Sequence, residues 1–305
     1  MKKMKNNVEI QGYVFSHTLA NRVSKKNVPF INGRINVATD EAGTNVIPVN
    51  FTYVSEYWGK TDKPNTNYDI LQGLIDECKT FEECGTAATK VRISGNIDTN
   101  DFVNRDGEMA SPKQVSGSFV HLMTTPIADN PSSFDADMVI TSAIEREVED
   151  GPDYVQLKGY CFDFRGTAIP VDLNIRSKSG MNYFLDQEPS SNNPFCTEVK
   201  GEIISTTIET EVEEEGAFGE PIVNKTSRSF RTWDVTWAAK EPYEWDDEDF
   251  ITKKEMKSSL AAREEHLADV KRRHDEYIAN RDGGQSFKTA DPSAGLDDDD
   301  DDFAF

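Results

Sequence analysis

A chain of 305 residues is long enough for two ordinary domains plus flexible segments, and its 36% hydrophobic and 10% aromatic content suits packed cores. Its apolar runs are only a few residues long, which excludes a membrane-spanning helix, and Lys2, Lys3 and Lys5 lead into Asn6, Asn7 and Glu9 rather than into a secretion signal, so a cytoplasmic protein is expected. The formal net charge of -22 argues against a polyanionic partner until its distribution is considered: residues 1–120 hold 14 Lys/Arg and 14 Asp/Glu, so the whole excess lies beyond them.

In chain order, Val8 to Ser16 alternates, with Val8, Ile10, Gly12 and Val14 on a core face and Glu9, Gln11, Tyr13 and Phe15 opposite. In the next run Ile31, Gly33, Ile35 and Val37 alternate with Phe30, Asn32, Arg34 and Asn36. A third strand is expected over Asn45 to Ser55. The period then changes: Ile70, Leu71, Leu74, Ile75, Cys78 and Phe81 recur at helical spacing, predicting a helix near 67–82 that stops by Gly85. Two more strands follow, Lys90 to Ile97 and Ser116 to Met123. Three strands, a helix and two strands is the order of an OB-fold, although a plain five-stranded α+β domain would share it.

A near-repeat points to a second such module. The run from Val8 to Phe15 lines up with Val155 to Phe162, placing Gly12 over Gly159, Tyr13 over Tyr160 and Phe15 over Phe162. Ile169, Val171, Leu173 and Ile175 form the core face of the next strand, and Thr197 to Thr210 and Ser227 to Ala238 predict two long strands. The middle helix has no counterpart here, since Asp186 to Pro194 is rich in Pro, Ser and Asn and is expected to be loop. Met138 to Glu147 is a strand that could belong to either module. The expected fold is therefore mainly β, with tandem OB-like barrels over 1–130 and 131–245. An acidic segment and helix occupy 246–282, and a flexible linker with an acidic tail occupies 283–305.

The four cysteines and four histidines lack metal-ligand spacing, and neither a phosphate-binding loop nor a hydrolase or zinc-protease motif is present. No cofactor, metal or catalytic residue is expected. Single strands bind by stacking bases on exposed aromatic rings beside cations that track the phosphates. Tyr13, Phe15 and Phe30 meet that need by parity, with Arg34, Lys90 and Arg92 on matching faces and Lys25 and Lys26 in the loop between the first two strands. The second module offers Lys158, Tyr160, Phe162 and Phe164 on one face, with Arg176, Arg228 and Arg231 close in the sequence pattern. Packing against a second layer is an equal alternative for the aromatics, and Trp233 and Trp237, alternating with Val235, suggest core.

Thr252 to Asn280 predicts one helix, with a capping box at Thr252 and Glu255 and a narrow apolar stripe of Met256, Leu260, Leu267, Val270 and Tyr277. A polar linker then leads to the run Asp297, Asp298, Asp299, Asp300, Asp301 and Asp302, closed by Phe303, Ala304 and Phe305. An OB-like start with such an aspartate run and a terminal aromatic resembles the single-stranded-DNA-binding proteins of bacteria and, given the tandem layout, of bacteriophages. The resemblance implies non-catalytic coating of single-stranded DNA in replication, recombination and repair. It also implies a tail whose Phe303 and Phe305 anchor in partner proteins while the aspartates meet basic rims. The bacterial pattern usually ends Pro-Phe, unlike the Phe-Ala-Phe found here. A phage structural or assembly protein, or a strand-annealing recombination mediator, is the alternative.

Overall fold

In the computed structural model, residues 4–59, 61–148, 153–214, 222–245, 247 and 250–282 are described, with the backbone alone at 206–214, 222–229, 281 and 282. The expected alternation holds in β1 (Asn6–His17), which buries Val8, Ile10 and Val14. β1 pairs with β3 (Pro29–Ala38) on one side and with β5 (Lys90–Thr99) on the other. β3 pairs with β4 (Val46–Ser55), which runs parallel to β8 (Lys113–Leu122), and β8 returns to β5. The ring β1–β3–β4–β8–β5 is thereby closed, with α1 (Thr66–Glu77) between its third and fourth strands in sequence, which is the OB arrangement. β2 (Ala20–Val23) prolongs the β1–β3 hairpin, and β6 (Phe102–Val103) and β7 (Met109–Ala110) form a small hairpin between β5 and β8.

The helix is shorter than its periodicity predicts. Asn65 caps α1 by accepting from the Asn67 N–H at 3.1 Å, and the helix ends at Glu77. Lys79 then donates to Thr89 Oγ1 and accepts from the Thr89 N–H, so its backbone groups are taken by the neighbouring chain. Phe81 consequently starts a separate short helix, α2 (Phe81–Cys84).

The second barrel repeats the order. β9 (Ser132–Arg146), β10 (Tyr154–Phe162) and β11 (Ala168–Ile175) precede α3 (Lys178–Asp186), and β12 (Phe195–Glu214) and β13 (Ile222–Ala238) complete it. The ring is β9–β10–β11–β13–β12, with β11 and β13 parallel. Two expectations change. The unplaced run from Met138 belongs to the first strand of barrel 2, so the near-repeat had matched the first strand of one barrel to the second strand of the other. The middle helix exists as well, capped by Ser177, whose Oγ accepts from the Gly180 N–H at 3.3 Å; it lies just before the Pro/Ser/Asn-rich loop, and Gly180 weakened its signal. The repeated glycine has a common cause, since a Cβ on Gly12 would lie 2.2 Å from the Ala38 carbonyl oxygen of β3, and one on Gly159 2.2 Å from the Val139 oxygen of β9. In each barrel the first two strands approach too closely there for a side chain.

The barrels are joined by backbone. β1 pairs antiparallel with β9 from Asn6 opposite Ala136 to Ile10 opposite Ser132, giving one 11-stranded sheet. Asn6 sits buried at this joint and donates to the carbonyls of Ile97 in barrel 1 and Phe162 in barrel 2, each at 3.0 Å, while its Oδ1 accepts from the Ile97 N–H at 2.8 Å. One contiguous set of buried side chains runs through both barrels.

α4 (Lys253–Asp282) opens with the expected reciprocal box: Glu255 N–H donates to Thr252 Oγ1 at 3.2 Å and Thr252 N–H to Glu255 Oε2 at 3.0 Å. Tyr243, Trp245, Phe250 and Ile251 ahead of the helix, and Met256 in its first turns, pack with Val139, Phe162 and Cys196 of barrel 2. Ser259 Oγ donates to the Gly166 carbonyl of barrel 2 at 2.5 Å, and one turn later Arg263 grips both oxygens of Asp101 in barrel 1 at 2.5 Å each. Burial alone would raise the Asp101 pKa, but hydrogen bonds from His266, Arg263 and Ser111 hold its carboxyl well below the usual carboxylate range. Replacing Arg263 with alanine should cost about 3–5 kcal/mol in urea unfolding, because it strands a buried carboxylate. Because the folded-state pKa of Asp101 is depressed, its contribution is fully present above the ordinary carboxylate range and is lost as the pH falls through the folded value; Asp101→Asn should remove that acid-side dependence.

Candidate nucleic-acid interface

In OB barrels the face of strands 2 and 3 is the usual ligand surface. In barrel 2 these are β10 and β11, and β9 extends the same sheet beside β10. Arg146 stands opposite Tyr154, and the Arg176 guanidinium lies 5.2 Å from the Tyr154 ring centroid, so one aromatic is flanked by two cations. Lys158 stands opposite both Ser142 and Asp172. Asp172 is bridged from barrel 1 by Lys113 at 2.5 Å, and the nearby Lys113 charge offsets its burial and keeps its pKa low. Arg176 is oriented by Asp234, Nε to Oδ2 at 2.8 Å. Four cations thus face two carboxylates on a surface interleaved with Gln156 and Asn174, which stand opposite one another.

On barrel 1 the corresponding face belongs to β1, β3 and β4. Arg34 Nε donates to Asn50 Oδ1 at 2.9 Å, Asn50 to Gln114 at 3.0 Å and Asn36 to Ser16 at 2.9 Å, giving a hydrogen-bonded polar floor. β12 and β13 reach over this side, where the Ser205 N–H donates to Asn45 Oδ1 at 2.7 Å. β13 brings Arg231 near Arg34. Desolvation and then the charge of Arg34 lower the Arg231 pKa, and among the described residues neither guanidinium is in an ion pair. Two like charges close to one another favour a phosphate between them. Phe230, exposed, immediately precedes Arg231 in sequence. Lys25 and Lys26 are exposed at the tip of the β2–β3 turn, whose Asn27 adopts a left-handed φ of 61°.

Most of the aromatics expected to stack bases are covered. Tyr13 is 5% exposed, with Phe81 of α2 at 5.6 Å between ring centroids, and Phe15 stacks on the same ring at 5.9 Å. Ile127 and Ala88 complete the cover, and Lys90 lies 5.8 Å from the Tyr13 ring centroid. Phe30 is buried against Tyr53 at 4.5 Å, beside a register shift in β3 that its parity did not disclose. Phe162 is fully buried and Tyr160 half-buried under the segment that leads into α4. The rings do leave the strands on the expected side, but that side is walled by residues far along the chain. Arg92 is exposed on another flank, opposite His121. Trp233 is core, whereas Trp237 is exposed under the Lys200 ammonium at 5.0 Å. The tail residues 297–305 lie outside the described residues.

Arg146, Tyr154 and Lys113 were missed from sequence. Tyr154 shares the parity of Lys158 and could have been found by extending that strand one residue. The others depend on which strands become neighbours.

Truncating Phe81 to alanine should destabilise by about 1–3 kcal/mol, less than a fully buried phenylalanine costs. If Tyr13 and Phe15 serve packing, oligo-dT affinity measured by anisotropy should change less than about twofold.

A family model described as YorF matches residues 5–273. No curated protein matches the chain. Among solved structures, it is similar to a deletion mutant of the single-stranded DNA binding protein from Thermus aquaticus, at 12% identity and a TM-score of 0.48 over 81% of this chain and 100% of that one. The wild-type form of the same protein gives 11% identity and a TM-score of 0.47 over 79% and 95%.

Proposed function

The chain belongs to the YorF family, and from that premise we propose that it is a non-catalytic binder of single-stranded DNA acting in the cytoplasm. The observation that carries this reading is the face of barrel 2 on which Arg146 and Arg176 flank Tyr154, with Lys158 farther along the same side of β10. Arg34 and Arg231, which among the described residues are in no ion pair, add positive charge on the side of barrel 1 that faces β13. A flexible single strand can follow such a bent line of cations and turn its bases toward Tyr154 and the amide side chains. A stiff duplex cannot, because bending it over so short a distance costs several kcal/mol.

In this reading Lys25 and Lys26 reach phosphates from the β2–β3 turn. Asp297 to Asp302, with Phe303 and Phe305, recruit replication or recombination proteins. Tyr13, Phe15, Phe30, Tyr160 and Phe162 stabilise the barrels and take no part in stacking.

The test is an anisotropy titration with oligo-dT and duplex DNA across a salt series. Preference for oligo-dT is expected, with equal or tighter binding after truncation following Leu296. Alanine at Arg34, Arg231, Arg146 or Lys158 should each weaken binding several-fold and lower the salt slope by about 0.7. Equal affinity for duplex and single strand, or a salt slope unchanged after all four substitutions, would falsify the assignment.

A further inference from the structure

The ring β1–β3–β4–β8–β5 puts the β5–β8 pair across barrel 1 from β3, two strand spacings away in either direction, about 10 Å at the backbone. The outer side of that pair carries groups that the front-face reading leaves unused. Phe119 is 37% exposed, and the Trp58 ring lies 6.2 Å from it between centroids. Trp58 is presented by a tight turn in which its N–H donates to the Lys63 carbonyl at 3.0 Å and its own carbonyl accepts from Thr61 Oγ1 at 2.6 Å, with Gly59 at a φ of 52°. On the same side Arg92 stands opposite His121 and Gln11, and among the described residues its guanidinium is in no ion pair. Glu9, the carboxylate two positions along β1 from Gln11, accepts from Gln11 Nε2 at 2.8 Å.

Barrel 2 places a related pair at the same point of its ring, Lys200 of β12 opposite Trp237 of β13. There the ammonium is already held by Glu198 at 3.1 Å and Asp135 at 3.6 Å. Among the described residues, the barrel 1 copy alone has its cation outside an ion pair.

We infer that the β5–β8 flank of barrel 1 is a second strand-contact site, where a nucleobase stacks on the Trp58–Phe119 pair and Arg92 takes the adjoining phosphate. This rests on the single-strand reading above and deepens it: a short strand occupies the front face alone, whereas a longer one turns round barrel 1 to the far flank. Stacking is tolerant of base identity, so the site adds length dependence rather than sequence preference.

Full-length protein is titrated with oligo-dT of about 8 and about 30 nucleotides, the first matching one barrel's site size. Trp58→Ala with Phe119→Ala should leave binding of the short strand within about twofold, weaken the long strand at least about tenfold and shorten the occluded length. Arg92→Ala, a surface change that spares the rings, should give the same pattern at smaller amplitude and serves if the double variant does not fold. Unchanged long-strand affinity and occluded length in these variants, with the short strand still bound, overturns the second site and leaves the front-face reading intact. Failure of the unmodified protein to bind either strand instead removes the reading itself.

Discussion

The antiparallel pairing of β1 with β9 is the constraint on which the rest depends. Two closed barrels normally have no free edges to share, but β1 pairs with β3 only over Tyr13–His17, so its Asn6–Ile10 stretch, joined to β5 from Val8, keeps an edge that β9 takes. Asn6 makes this workable because its amide supplies donors and an acceptor to carbonyl and N–H groups that two converging barrels would otherwise leave unsatisfied in a buried place. Once the strands are joined, the barrels share one core and cannot reorient independently. Arg34 and Arg231, which come from different barrels, are neighbours for that reason.

α4 reinforces the joint from outside. Ser259 and Arg263, one turn apart, hold opposite barrels, and the Arg263–Asp101 pair is shielded enough for its geometry to matter. Surface ion pairs farther along the helix, such as Arg272 with Glu276, are exposed and contribute little. The segment before α4 packs on Phe162 and Tyr160, so the strap that fixes the barrels also buries one aromatic ring and half-covers another.

Charge is partitioned in the same spirit. A total of -22 does not prevent a cationic face, because the acidic runs lie at 211–215, 241–249 and 297–302, whereas Arg34, Arg146, Lys158 and Arg176 lie on or at the ends of strands of the two front surfaces, with Lys113 and Arg231 coming from β8 and β13. At physiological salt, charges more than about 8 Å away are largely screened, so the local cations decide what a phosphate meets.

Alternation and periodicity by themselves determined the strands, the order that makes an OB barrel, the capped C-terminal helix and the side on which Tyr13, Phe15, Phe162, Lys158 and Arg176 leave the backbone. These are local properties, since a period of two selects a side of a strand and a Thr-x-x-Glu box needs only four residues. Only the tertiary structure decided what lies on that side. Phe81 over Tyr13, Phe250 beside Phe162, Tyr53 over Phe30 and Arg231 beside Arg34 are all contacts between distant segments, and no local pattern encodes them. The first strand of barrel 2 was likewise undecidable locally, because the glycine that lets two strands converge serves on either member of the pair, at Gly12 in β1 and at Gly159 in β10.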